Sequence, residues 1–204
     1  ADHAFDDSAT FLNSPDFDAV YIATPNAMHV LQTLQAIAAG KACLTEKPLT
    51  LDAAGANEIA AASKAKKVFA MEAMWSRFLP AISATREHIR AGRIGTVKRI
   101  EADLSYFREE DPQSRFFNPA LGGGAAFDLG VYPVSLALSF LGLPDAVSGR
   151  WMKAKSGVDM RTEITLSYAN AEAQLSCGFD HNGKNQLLIE GTDGAILIHA
   201  PFLK

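Results

Sequence analysis

Lys47 stands in the run Leu44-Thr45-Glu46-Lys47-Pro48, a cation at the end of an apolar stretch. The proline biases Lys47 toward extended backbone and stops a helix from continuing through it. A second run, Gly122-Gly123-Gly124-Ala125-Ala126-Phe127-Asp128-Leu129-Gly130-Val131-Tyr132, carries a carboxylate and a phenol four residues apart. Both face the same way if the segment is helical. A phenol has an ordinary pKa of about 10, too high for efficient proton transfer at neutral pH unless a nearby cation favours its ionised form. Lys47 could supply that cation, and the two runs together suggest a dehydrogenase site.

Each of these residues also has a plainer reading. Glu46-Lys47-Pro48 reads equally as a solvated loop, and what raises it is location, because ligands of open α/β sheets bind beyond the carboxyl ends of the strands. Thr24-Pro25-Asn26 and His29 follow the preceding apolar run and could line the same crevice, although a histidine at a helix start is often there for its hydrogen bonds. Asp128 and Tyr132 on an apolar helix could be core residues. The three glycines before them argue against packing alone, since they open backbone conformations closed to other residues and let a ligand come close. Trp75, Arg77 and Phe78 form either a pocket wall or a buried interface, and Phe116-Phe117 either a substrate lid or a loop anchor.

The elements that must position these residues follow from hydrophobic period. From Ser8 to Phe69 short apolar runs alternate with helical patterns, the signature of parallel strands joined by crossover helices. Ala19 to Ala23 is expected as a buried strand, Met28 to Ala39 as a helix stopped by Gly40, and Ala42 to Leu44 as a second strand. Thr50 is expected to cap a helix over Leu51 to Ala65, before a third strand at Val68 to Met71, and Phe78 to Ala91 as a further helix. After Gly95 the period changes to two, at Val97 to Leu104, Arg161 to Tyr168 and Glu172 to Phe179, with Ala169-Asn170 as a hairpin turn. Gln186 to Glu190 and Ala195 to His199 complete a mostly antiparallel sheet, whose longest helix should run from Asp128 to Leu141. The fold class is therefore α/β: a truncated Rossmann-like parallel sheet over residues 1–73, then an α/β domain with a mostly antiparallel open sheet over 74–204.

Composition narrows the function classes. At 204 residues and 48% hydrophobic content the chain can bury a sizeable core. A net charge of -4 leaves no basic footprint for nucleic acid or anionic lipid. Cys43 and Cys177 lie in unrelated stretches and suggest neither a zinc site nor a disulfide, which points to a reducing, cytoplasmic setting. The apolar uncharged run Leu129 to Pro144 is short for a membrane span, and the N-terminus lacks a signal-peptide pattern.

Taken in order, Thr24-Pro25-Asn26-x-x-His29, Glu46-Lys47-Pro48 and Gly122-Gly123-Gly124-Ala125-x-x-Asp128-x-Gly130-x-Tyr132 resemble the Gfo/Idh/MocA oxidoreductases. Met71-Glu72-Ala73-Met74-Trp75-x-Arg77-Phe78 and the tyrosine at 132 are most similar to the dimeric dihydrodiol dehydrogenase and D-xylose dehydrogenase branch. The resemblance implies an NADP or NAD cofactor and a sugar or cyclic diol substrate. It also implies a homodimer formed through the C-terminal sheet. It makes Lys47 a contact of the nicotinamide and the reacting oxygen, with a cis bond to Pro48 fixing its position. It makes Tyr132 the acid/base and Asp128 a substrate-binding or orienting group. Thr24, Pro25, Asn26, His29, Glu46 and Lys47 correspond to cofactor-side positions, Trp75 and Arg77 to the substrate pocket and its support, and no metal is implied.

Relatives open with a glycine-rich turn whose amides meet the pyrophosphate. No Gly-x-Gly-x-x-Gly stands at a suitable place in these 204 residues. The chain is thus expected to be an internal fragment of a longer enzyme. The rival expectations are another sugar or inositol dehydrogenase of the same family, a dinucleotide-binding regulator without catalysis, and an inactive fragment.

Overall fold

The computed structural model describes residues 3–14 and 16–203, and the chain divides into two compact units. The first comprises the chain up to Ala73 together with Ala120–Gly122, and the second Met74–Pro119 and Gly123–Lys204.

In the first unit, a short helix α1 (Ser8–Leu12) precedes three parallel strands in the order β1 (Ala19–Ile22), β2 (Ala42–Thr45) and β3 (Ala70–Glu72). Val20 lies opposite Cys43, and Cys43 opposite Ala70. Helices α2 (His29–Ala38) and α3 (Ala53–Lys66) make the crossovers that parallel pairing requires. Val20, Ile22 and Cys43 form a core with Ala36, Ile37 and Ile59. The expectation of a fully buried first strand holds for only one of its faces. Tyr21 is 58% exposed, and Leu44 and Phe69 are exposed as well. β1 and β2 therefore alternate, because only one side of this sheet packs into that core. Gly40, at φ +76°, follows the end of α2 as expected. The cap of α3 is Asp52 rather than Thr50: its carboxylate accepts the Gly55 N–H at 2.8 Å, while the Thr50 hydroxyl donates to the Asp52 carbonyl.

In the second unit, a 3-10 turn (Trp75–Phe78) and α4 (Pro80–Arg90) lead into a six-stranded sheet. Its order is β5 (Ala146–Lys153), β6 (Asp159–Tyr168), β7 (Ala171–Gly178), β4 (Val97–Ser105), β8 (Leu187–Gly191) and β9 (Ala195–Ile198), and only the β4–β7 pairing is parallel. The tight β6–β7 hairpin turns at Ala169-Asn170, as expected. The edge strand β5 carries no sequence signal, because all eight of its residues are exposed and nothing imposes an apolar alternation. Ile100, Leu136, Phe117, Phe179, Leu187 and Ile189 are fully buried in the core. On the other face Glu101, Asp103, Arg150, Glu163, Gln174 and Ser176 line an open polar depression.

The stretch Pro119–Leu141, a 3-10 turn (Pro119–Leu121) followed past the three glycines by helix, starts earlier than the uncharged run and is 23 residues long, with an 18-residue window whose mean hydropathy of 1.4 is apolar enough to cross a membrane. It instead supplies Leu129, Tyr132, Leu136 and Ala137 to the core of the sheet domain. Within it, Ala126–Gly130 is a π-helical turn that runs directly into α5 (Val131–Leu141). The wide turn precedes Pro133, which has no N–H to offer the carbonyl of Leu129.

Candidate active site

The first unit gathers its candidate residues at the carboxyl ends of β1 and β2. Thr24-Pro25-Asn26 leaves β1, and the Thr24 hydroxyl donates to Gln32 at 2.6 Å. The amide of Asn26 donates to the carbonyl of Gly122 at 2.9 Å. His29 is fully buried, with its two ring nitrogens 2.7 Å from the carbonyl oxygen of Pro48 and 2.9 Å from that of Thr24. It buckles the exit turn of β1 to the exit turn of β2, a hydrogen-bonding role of the kind its place at a helix start allowed.

Glu46-Lys47-Pro48 follows β2, and the Lys47–Pro48 peptide is cis. Lys47 is half-buried and its N–H donates to the Glu46 carboxylate at 3.2 Å. The other oxygen of Glu46 accepts the hydroxyl of Tyr21, a bond that raises the pKa of that phenol. Glu72 accepts the N–H of Leu49 at 2.8 Å, tying the far side of the same turn to β3. Thr45 and Thr33 share a buried hydroxyl pair at 2.8 Å. Lys47 therefore sits on a turn held by the ends of three strands and by a histidine. Tyr21, Glu72 and Thr33 were not among the site residues expected from sequence, since only the parallel register of the strands and the packing of α2 bring them to this end.

The second unit gathers Asp128, Tyr132 and Trp75. Asp128 and Tyr132 are buried, at 6% and 8% exposure, on consecutive turns of the helical stretch. The indole N–H of Trp75 donates to the hydroxyl of Tyr132 at 3.1 Å, and the two rings meet edge to face at 5.7 Å. Trp75 is thus a neighbour of the phenol itself, and 43% of its surface is open. Arg77 is exposed on the same 3-10 turn, and its carbonyl accepts from Arg86. Arg115, outside the sequence expectation, reaches Asp128 at 3.2 Å with its guanidinium more than half exposed. The Phe116-Phe117 pair anchors its loop. Phe117 is fully buried, both rings pack on Phe179, and the guanidinium groups of Arg108 and Arg115 lie over Phe116 at 3.8 and 4.0 Å.

Under the wide turn, a Cβ on Gly130 would stand 2.9 Å from the sulfur of Cys177 on β7. Burial, with the carboxylates of Asp159, Asp103 and Asp128 adding to it, pushes that thiol up to about 12. The glycine lets the helix carrying Asp128 and Tyr132 settle directly on the sheet.

Residues 82–197 match the GFO/IDH/MocA C-terminal domain. The chain belongs to the GFO/IDH/MocA family. Residues 2–74 match the oxidoreductase family with an NAD-binding Rossmann fold. Over 183 residues the chain is 34% identical to trans-1,2-dihydrobenzene-1,2-diol dehydrogenase of Mus musculus, covering 88% of this chain and 54% of that protein. It is 35% identical over 204 residues to the NADP(+) scyllo-inositol 2-dehydrogenase of Bacillus subtilis (strain 168), covering 97% and 62%. The crystal structure of aldose-aldose oxidoreductase from Caulobacter crescentus, complexed with glycerol, superimposes with a TM-score of 0.89 at 28% identity, covering 96% of this chain and 60% of that one. The chain thus spans between about half and three-fifths of the length of these relatives. Both parts of the fold agree with the α/β class expected from sequence.

Proposed function

We propose that the protein is an NAD(P)-dependent dehydrogenase that oxidises a hydroxyl of a sugar or cyclic diol, or reduces the matching carbonyl. The observation that carries this reading is the buried phenol of Tyr132, held by the Trp75 indole N–H one helical turn from a buried carboxylate. A tyrosine serving only to fill the core would not need a half-open tryptophan as its hydrogen-bond donor.

The polar groups of the first unit suit a nicotinamide dinucleotide. A lysine ammonium, an asparagine amide and a threonine hydroxyl stand at the carboxyl ends of parallel strands, where such ligands bind. Thr24, Pro25, Asn26, Glu46 and Lys47 would hold it, with His29 fixing the two turns that carry them. A nicotinamide bound there would supply the acceptor for the hydride of the substrate carbon. Tyr132 takes the hydroxyl proton onto its phenolate oxygen. Lys47 stabilises the negative charge that develops on the reacting oxygen. Asp128, steadied by Arg115, orients the substrate, and Trp75 and Arg77 form a wall of the pocket. Similarity to diol and inositol dehydrogenases supports a ring bearing adjacent hydroxyls as the substrate class. The two free, buried thiols suit a cytoplasmic enzyme, and the open face of the six-stranded sheet suits a homodimer.

In the full-length enzyme, Tyr132→Phe should lower kcat by about a hundredfold while dinucleotide affinity stays within about twofold. Steady-state kinetics over a panel of aldoses, inositols and cyclic diols, with fluorescence titration of NADPH and NADH, gives both numbers. Turnover close to wild type on the best substrate would remove Tyr132 from the chemistry.

A further inference from the structure

Asp159 opens β6 and has no part in the machinery named above, yet its carboxylate reaches the start of the helix that carries it. One of its oxygens accepts the N–H of Ala126 at 2.8 Å and the hydroxyl of Thr162 at 2.7 Å. Ala126 is the first residue of the π-helical turn, and the first amides of any helix lack partners within it. The residue before it, Ala125, has no side chain that could cap. The strand thus lends the helix its cap, and places a negative charge at the positive end of the helix dipole.

The third glycine of the triad belongs to the same arrangement. Gly124 adopts φ +124°, and a Cβ there would lie 2.2 Å from the second carboxylate oxygen of Asp159. Any side chain at 124 would push the carboxylate off the helix start. The glycine run is therefore explained, at this position, by the approach of a protein carboxylate. Thr162, three residues along β6, fixes the rotamer from the other side.

We infer that Asp159 is a positioning residue for Asp128 and Tyr132. The cap grips the helix two residues before Asp128 and six before Tyr132, so it sets the height and roll at which both side chains are presented. Displacements of about 1 Å at reacting groups cost up to about a hundredfold in rate, and a looser cap delivers part of that. The inference rests on the catalytic reading of Tyr132.

The test compares Asp159→Ala with Asp159→Asn in the full-length enzyme, with Tyr132→Phe measured beside them. The asparagine keeps an oxygen that can accept from Ala126. The alanine variant should lose about tenfold in kcat with KM within about twofold, and the asparagine variant should stay within about twofold in both. Hydrogen exchange at the Ala126 amide should accelerate in the alanine variant and not in the asparagine one. If the alanine variant does not fold, Asp159→Gln takes its place, because its acceptor is one methylene too long and should also depress kcat. Native kcat in the alanine or glutamine variant, alongside an impaired Tyr132→Phe, overturns the positioning role alone. Native kcat in Tyr132→Phe overturns the catalytic reading and this inference with it.

Discussion

Trp75 donates its indole N–H to the Tyr132 hydroxyl, and a hydrogen bond received by a phenol oxygen favours the ionised form that accepts a proton. Trp75→Phe keeps the ring contact and deletes the donor. We expect kcat near neutral pH to fall about five- to tenfold, the equivalent of roughly one hydrogen bond, and to recover as pH rises. A pH–rate profile that overlays wild type would show the bond to be without catalytic consequence. Lys47, Asp128 and Tyr132 were legible as candidates because residue type and local spacing carry their signal. Trp75 was legible only as a pair of alternatives, since nothing local says which way an indole points. Arg115, Asp159 and Tyr21 were illegible: their partners lie 13, 33 and 25 residues away, and only the fold supplies those contacts.

The helical stretch on the six-stranded sheet shows how much a single element can hide. Its existence and its end at Leu141 were readable, whereas the π-helical turn adds one residue to a turn without changing the composition. The hairpin of β6 and β7 was readable from alternation and a turn dipeptide, and the exposed β5 was not. Cys177 lies where that wide turn meets β7, and its thiol stays protonated to about pH 12. Cys43, buried in the other unit, is raised by burial too. Both thiols should therefore resist a disulfide reagent at pH 8 in the folded protein and react once it is unfolded. A thiol ionises near pH 8.5 in an unfolded chain, so the stability it contributes is fully present below that pH and is lost as pH climbs toward 12. Denaturant unfolding at pH 8 and pH 10.5 should show this loss, and Cys177→Ala should reduce it. Rapid labelling of the native protein would show the thiols to be accessible.

Across the molecule, the two sheets leave different kinds of surface uncovered. The polar depression on the six-stranded sheet carries the Arg150–Glu163 ion pair and the neighbouring Thr165–Gln174 pair of strand residues. The homodimer we propose through this face predicts that the full-length protein sediments at twice its chain mass. A bulky charge at Thr165, on an inner strand, should shift it to monomer, whereas a wild-type protein that remains monomeric at micromolar concentration would exclude the face as an interface. The alternation of helix and strand periods made both sheets legible. It could not show that three residues from the middle of the chain, Ala120–Gly122, belong with the first unit, because that membership rests on tertiary contacts such as the one from Asn26.

That hydrogen bond has a consequence for how the protein is made. The amide of Asn26 finds its acceptor 96 residues later in the chain, at Gly122. At about 5–20 residues per second, a ribosome delivers that acceptor roughly 5–20 seconds after Asn26 itself. The parallel strands and their helices can pair long before then, so the loop at the exit of β1 waits, already folded around, for a carbonyl that has yet to be synthesised. The turn that receives Asn26 is consequently among the last pieces of the first unit to close.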